Sequence, residues 1–202
     1  MIKLENVCKR YGERILFENY NTQISDHEFV VFSGKSGCGK TTLLNMIGGI
    51  EAADSGRIWV DNVDITQKKE LLNYFRYKVG FLFQNFALIE NKTVKENLSI
   101  VRKASRTSIS IEEALERVGL EEKINSKIYT LSGGEQQRIA LARLMIKKCD
   151  IILADEPTGS LDRENTDIVM DILEEYYQQG KTVVIVTHDA YVKQKGRRVI
   201  EL

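Results

Sequence analysis

Nine consecutive residues, Gly34-Lys35-Ser36-Gly37-Cys38-Gly39-Lys40-Thr41-Thr42, bring together groups suited to one task. Gly34, Gly37 and Gly39 lack a Cβ, so the backbone can turn through positive φ and aim successive N–H groups at one anion. The spacing G-x-x-x-x-G-K-[ST] is that of a phosphate-binding loop. Phe29-Val30-Val31-Phe32 precedes it and Leu43, Leu44, Met46 and Ile47 follow, so the order is strand, loop, helix. A helix starting near Lys40 adds about half an elementary charge at its N-terminus. Lys40 can reach outer phosphates as a point charge, and the Thr41 hydroxyl suits Mg²⁺. An ordinary glycine turn has no use for the Lys-Thr pair. The loop, with Ser36, Cys38 and Thr42 inside it, is expected to hold a nucleoside triphosphate.

A second set of groups stands at the ends of apolar runs. Ile151-Ile152-Leu153-Ala154 ends in Asp155-Glu156. An aspartate at a strand end can hold the metal or its water. Glu156, one residue further, can face the outer phosphate and polarise an attacking water. Gln84 follows Val79 to Phe83, and His188 follows Val183 to Val186 and Thr187. Open α/β sheets bind ligands at that edge. Gln84 offers a carbonyl to Mg²⁺ or to a water, and His188 a donor to charge developing on the phosphate. Ser132-Gly133-Gly134 opens another helix and so another anion-binding N-terminus. It lacks the Lys-Thr pair, and one triphosphate needs one such loop. These residues are expected to serve a nucleotide held by another copy of the chain.

The elements that must position these groups read as α/β. Ile2, Leu4 and Val7 open a strand that Cys8 to Gly12 turns, and a second strand runs from Arg14 to Tyr20. On its own Tyr11 reads as a half-buried strand aromatic. Arg57 to Val60 is a strand with Asp61-Asn62 as its turn, and Lys68 to Tyr77 is helical. From Asn85 to Lys148 the pattern turns helical, with capping boxes at Thr93/Glu96 and Ser110/Glu113. Ile111, Ala114, Leu115 and Val118 share one helix face. Ile139 to Lys147 and Asp162 to Gln178 are further helices, the latter closed by Gly180, and Arg198 to Leu202 can close a sheet edge. The expected organisation is one domain over 1–202. Residues 1–84 and 149–202 form the core with a β subdomain, and 85–148 form an inserted helical subdomain.

The chain has 202 residues, 43% of them hydrophobic, enough for one sizeable core. Its longest apolar runs fall well short of the ~20 residues that span a bilayer, and the N-terminus lacks a charged-then-apolar leader pattern. A cytoplasmic location is expected. Lys+Arg and Asp+Glu are both 29, so no bulk positive field recruits nucleic acid, and no nucleic-acid partner is expected. Cys8, Cys38 and Cys149 lie far apart and indicate neither zinc nor a disulfide framework.

Taken together, these motifs make the chain resemble the ATP-binding subunit of an ABC (ATP-binding cassette) transporter over essentially its whole length. Leu131-Ser132-Gly133-Gly134-Glu135-Gln136 is similar to the family signature, which sets the family apart from kinases, GTPases and helicases that share the first loop. The resemblance implies a P-loop NTPase core with a mostly parallel sheet, an N-terminal antiparallel β subdomain and an inserted α-helical subdomain. It implies that Tyr11 stacks on adenine and that Ser36 to Thr42 bind the phosphates of ATP. Thr41, Gln84 and Asp155 would hold Mg²⁺, with Glu156, His188, Gln84 and Lys40 as the catalytic groups. Ser132, Gly133 and Gly134 would contact ATP across a homodimer, with Ser160-Leu161-Asp162 as the loop between copies. An integral membrane permease would keep the chain peripheral on the inner face of the cell membrane. Phe86, Leu88 and Ile89, read as exposed, would receive its coupling helix.

The wording around the motifs is similar to the lipoprotein-release, macrolide-export and bacteriocin-export branch, which implies export or release of peptides, lipoproteins or small toxic compounds. Lys35 and a short stretch after His188 are departures that touch no catalytic group. The alternative class, a soluble cassette ATPase acting on ribosomes or DNA, typically carries a second cassette or a coiled-coil insertion. This sequence contains neither.

Overall fold

The computed structural model describes residues 1–159 and 161–202. Ser160 lies outside the described residues. The chain opens with β1 (Ile2–Tyr11) and β2 (Arg14–Ile24), an antiparallel hairpin in which Tyr11 pairs with Arg14. The expected turn from Cys8 is therefore displaced. The strand runs on to Tyr11, because Gly12, with φ +58, can make the tight reversal that Cys8 to Arg10 cannot. Next come β3 (Phe29–Ser33), the glycine loop, α1 (Lys40–Ile47), β4 (Ser55–Val60) and β5 (Val63–Asp64). Asp61 and Asn62 both have positive φ, as a two-residue hairpin turn requires. All of these strands but β3 form a four-stranded antiparallel sheet in the order β2-β1-β4-β5.

A short helix α2 (Lys68–Asn73) and one π turn lead into β6 (Val79–Leu82). Helices α3 (Val94–Ser99), α4 (Ile111–Glu116) and α5 (Gly133–Ile146) follow. Thr93 and Glu96 form the expected capping box, whereas Ser110 only accepts from the Glu113 N–H and receives nothing in return. Then come β7 (Ile151–Asp155), α6 (Arg163–Gln178), β8 (Thr182–Val186), α7 (Ala190–Lys195) and β9 (Arg198–Glu201). The short helix α7 is an addition to the sequence reading. Its Asp189 cap accepts from the N–H groups of Tyr191 and Val192.

Strands β6-β7-β8-β3-β9 pair in that order, all parallel. The three central strands are buried along their whole length, the mark of a sheet covered on both faces. Side chains alternate between two cores. Phe29, Val31, Ile152 and Val183 pack with α5 and α6, while Val30, Phe32, Ile151 and Val184 pack with α1 and the antiparallel sheet. The parallel arrangement sends the C-terminal ends of β3, β6, β7 and β8 to one rim.

Candidate functional site

That rim holds the candidate site. The glycine loop leaves β3 and closes at Gly39, whose φ of +106 suits glycine alone. A Cβ there would meet the Phe17 ring at 2.9 Å, so the antiparallel sheet supports the loop from behind. Gly34 is hemmed in similarly: a Cβ would come within 2.8 Å of the Cys38 Sγ. Lys40 is almost fully buried and spans its own loop, donating Nζ to the Gly34 carbonyl at 2.9 Å and the Lys35 carbonyl at 3.1 Å. Tyr11, Arg14, Ser36, Gly37, Gly39, Lys40, Thr41, Thr42, Gln84, Glu156 and His188 line one cleft of about 590 Å³.

Across the cleft floor, the Thr41 hydroxyl donates to Asp155 Oδ1 at 3.0 Å. Burial pushes the Asp155 carboxyl above its ordinary range, the Thr41 hydrogen bond pulls it back, and the neighbouring Glu156 charge adds to the rise. Glu156 has left the strand geometry: its φ is +43, while its N–H still donates to the Val186 carbonyl at 2.9 Å. Its carboxylate accepts from the Thr187 hydroxyl at 2.9 Å and lies 2.7 Å from His188 Nδ1. The histidine ring is largely exposed and the carboxylate largely covered, so the pair reaches from the floor to the cleft mouth. Gln84 is exposed at the same mouth.

The structure therefore gathers Tyr11, Ser36, Gly37, Gly39 to Thr42, Gln84, Glu156 and His188 around one space, with Asp155 bonded to Thr41; Cys38 does not line it. Ser132, Gly133 and Gly134 line no part of it. They stand at the N-terminus of α5, where Ser132 and Glu135 make a reciprocal capping box that the sequence spells as S-x-x-E. The helix is tied to the segment after Glu156. Gln137 donates to the Pro157 carbonyl at 2.7 Å, and Arg138 bonds Asn165, which in turn holds the Asp162 carboxylate.

Sequence reasoning passed over Gln137, Thr187 and Arg14. Arg14 is opposite Tyr11 in the hairpin and donates to the Gly37 carbonyl at 2.6 Å. Only the hairpin register could have signalled it. The expectation that Phe86 and Leu88 are exposed is corrected: both are half-buried against the core, and Ile89 alone is exposed. The cause is a left-handed turn at Phe86 and Ala87, whose carbonyls the Arg143 guanidinium holds at 2.9 and 2.5 Å.

Cys38 is half-buried against Gly34 within the loop. Alkylation of Cys38, with Cys8 replaced by serine, is expected to block nucleotide binding, and bound ATP to protect the thiol. Mass spectrometry of labelling with and without ATP checks this; unchanged ATP affinity after complete modification would refute it.

The family model described as "ABC transporter" matches residues 17–159. An uncharacterized ABC transporter ATP-binding protein of Methanocaldococcus jannaschii, MJ0796, is 42% identical over 219 residues, covering the whole of this chain and 93% of that protein. The chain belongs to the ABC transporter family. This cassette also superposes on the dimeric structure of MJ0796 with a TM-score of 0.91 at 40% identity, covering all of it and 94% of the solved chain. A further solved structure shows a post-hydrolysis state of MJ0796 bound to ADP and Pi, with a TM-score of 0.88. The macrolide export ATP-binding/permease protein MacB of Campylobacter jejuni is 39% identical over 209 residues. The cassette spans about a third (33%) of the length of that relative.

Proposed function

We propose that this cassette is the ATP-hydrolysing subunit of a membrane transporter, dimerising around two ATPs and powering the export or release of peptides, lipoproteins or small toxic compounds. The observation that carries the reading is the division of groups between two places. Lys40, Thr41 and the Glu156–His188 pair line a cleft, with Asp155 bonded to Thr41, while Ser132 to Gly134 stand outside it at an anion-binding helix end. A second copy would bring those residues over the nucleotide. Tyr11 takes the base, and Ser36 to Thr42 take the phosphates. Glu156 accepts a proton from the attacking water while Thr187 and His188 hold its carboxylate in place. Gln84 orients that water from the cleft mouth.

The donors also fit Mg²⁺. Thr41 and Asp155 offer hard oxygens 3.0 Å apart, and Gln84 adds an amide carbonyl from the wall of the same cleft. When bound, Mg²⁺ would supply charge neutralisation to the phosphates.

A permease subunit is the second partner, and it would place the cassette on the inner face of the membrane. Among the described residues no helix is long and apolar enough to cross one. An apolar groove of about 480 Å³ between α2, β6 and the chain after α3 offers it a seat, with Phe75, Phe81, Phe83 and Ile100 inside and Arg76 and Arg102 at its edge. This groove, rather than Phe86 and Leu88, suits an amphipathic helix carrying acidic residues. A tagged cassette drawn from solubilised native membranes is expected to enrich a multi-span membrane protein, and Ile100→Glu to lose it at least about tenfold while basal ATPase stays within about twofold. Ribosomal or DNA-repair partners without a membrane protein overturn the transporter reading.

A further inference from the structure

The Tyr11 wall of the cleft is held by groups that the phosphate chemistry leaves unused. Lys9 and Tyr11 lie two apart near the end of β1, and an irregular register between Lys9 and Arg10 leaves their side chains together. Lys9 is 8% exposed, and its Nζ lies 2.8 Å from the Ala52 carbonyl, 2.9 Å from Glu51 Oε1 and 3.8 Å from Asp54 Oδ1. The same Glu51 carboxylate accepts a hydrogen bond from the Tyr11 hydroxyl, and the Lys9 ammonium stands over the Tyr11 ring, 5.1 Å from its centroid. A half-exposed tyrosine is thereby pinned at its hydroxyl and covered by a cation on one side.

We propose that Glu51, clamped by the buried Lys9, is a positioning residue for the nucleotide base: it holds the Tyr11 ring ready so that the base stacks on the free face. The inference rests on the reading of Tyr11 as the base platform. A ring already ordered spares the ligand that ordering cost. The placement also ties the two ends of the ligand together. Glu51 follows the helix α1 that starts at the phosphate loop, and its N–H donates to the Asn45 carbonyl of that helix at 3.2 Å. One helix thus presents phosphate donors at its start and the clamp of the base wall just beyond its end.

The test separates base from phosphate. Calorimetry on the full chain measures the Kd of Mg-ADP and of Mg-pyrophosphate for Glu51→Ala, Tyr11→Phe, the double variant and Tyr11→Ala. Glu51→Ala and Tyr11→Phe are each expected to weaken ADP about five- to tenfold and leave pyrophosphate within about twofold. The double variant should be no worse than Glu51→Ala alone, because both remove one link. In ATPase assays KM rises with kcat unchanged. An equal loss for pyrophosphate would mean that Glu51 supports the phosphate loop instead, and additive losses would break the link between Glu51 and Tyr11; either overturns the proposal. Unchanged ADP affinity in Tyr11→Ala is a different failure, because it removes the base platform itself.

Discussion

Glu156→Gln is expected to slow ATP turnover about a thousandfold, equivalent to ~4 kcal/mol in the barrier, without weakening ATP binding. The shape of the side chain is kept, so the Thr187 hydroxyl at 2.9 Å still has an oxygen to donate to. What is lost is the capacity to take a proton from water. With ATP left intact, size-exclusion chromatography in Mg-ATP is expected to show more dimer for Glu156→Gln than for the parent chain. Phosphate release at saturating ATP measures the first effect. Hydrolysis at the parent rate would remove Glu156 from the base role and leave His188 or a bound water to be considered.

Lys40→Ala is expected to act at the earlier step. Its Nζ is buried beside the loop carbonyls at 2.9 and 3.1 Å, in a place where outer phosphates would meet it with little competing water. Losing a charge-assisted contact of this kind is worth about 3 kcal/mol, or roughly a hundredfold in the Kd of Mg-ATP. Calorimetry gives the Kd, and a thermal melt of the free protein reports whether the loop has also lost its internal tie. An affinity within about twofold of the parent would show that the backbone N–H groups of the loop carry the binding without it. The two substitutions divide the cleft: one weakens capture, the other keeps capture and slows hydrolysis.

Much of this cleft was written locally. The loop sequence from Gly34 to Thr42 specifies its own conformation, because its glycines are placed where the chain must turn tightly and its Lys-Thr pair follows at once. The apolar runs ending in Gln84, Asp155 and Thr187-His188 foretell buried parallel strands, and the α/β class follows from them. The Thr93 capping box and Gly180, at φ +80, likewise obey rules a few residues long. These features depend on neighbours in sequence, so composition and spacing are sufficient.

The tertiary structure alone decided which of these ends meet, and how. Strand order β6-β7-β8-β3-β9 sets Asp155 against the Thr41 hydroxyl, a contact between residues 114 positions apart. The Glu156 bonds to Thr187 and His188 depend on β7 and β8 being neighbours, and the Phe17 support of Gly39 depends on one sheet packing against the other. Gln137, Arg14 and the Lys9–Glu51–Tyr11 chain were illegible for the same reason: each is a polar residue of ordinary type whose partner is fixed only by folding. Half-burial of Phe86 and Leu88 was hidden as well, since it follows from a left-handed turn gripped by Arg143. The sequence by itself determined the fold class and placed the glycine loop and the polar groups at the strand ends. The long-range packing decided which residues aim, support and restrain that chemistry, because those contacts join segments that no local spacing rule connects.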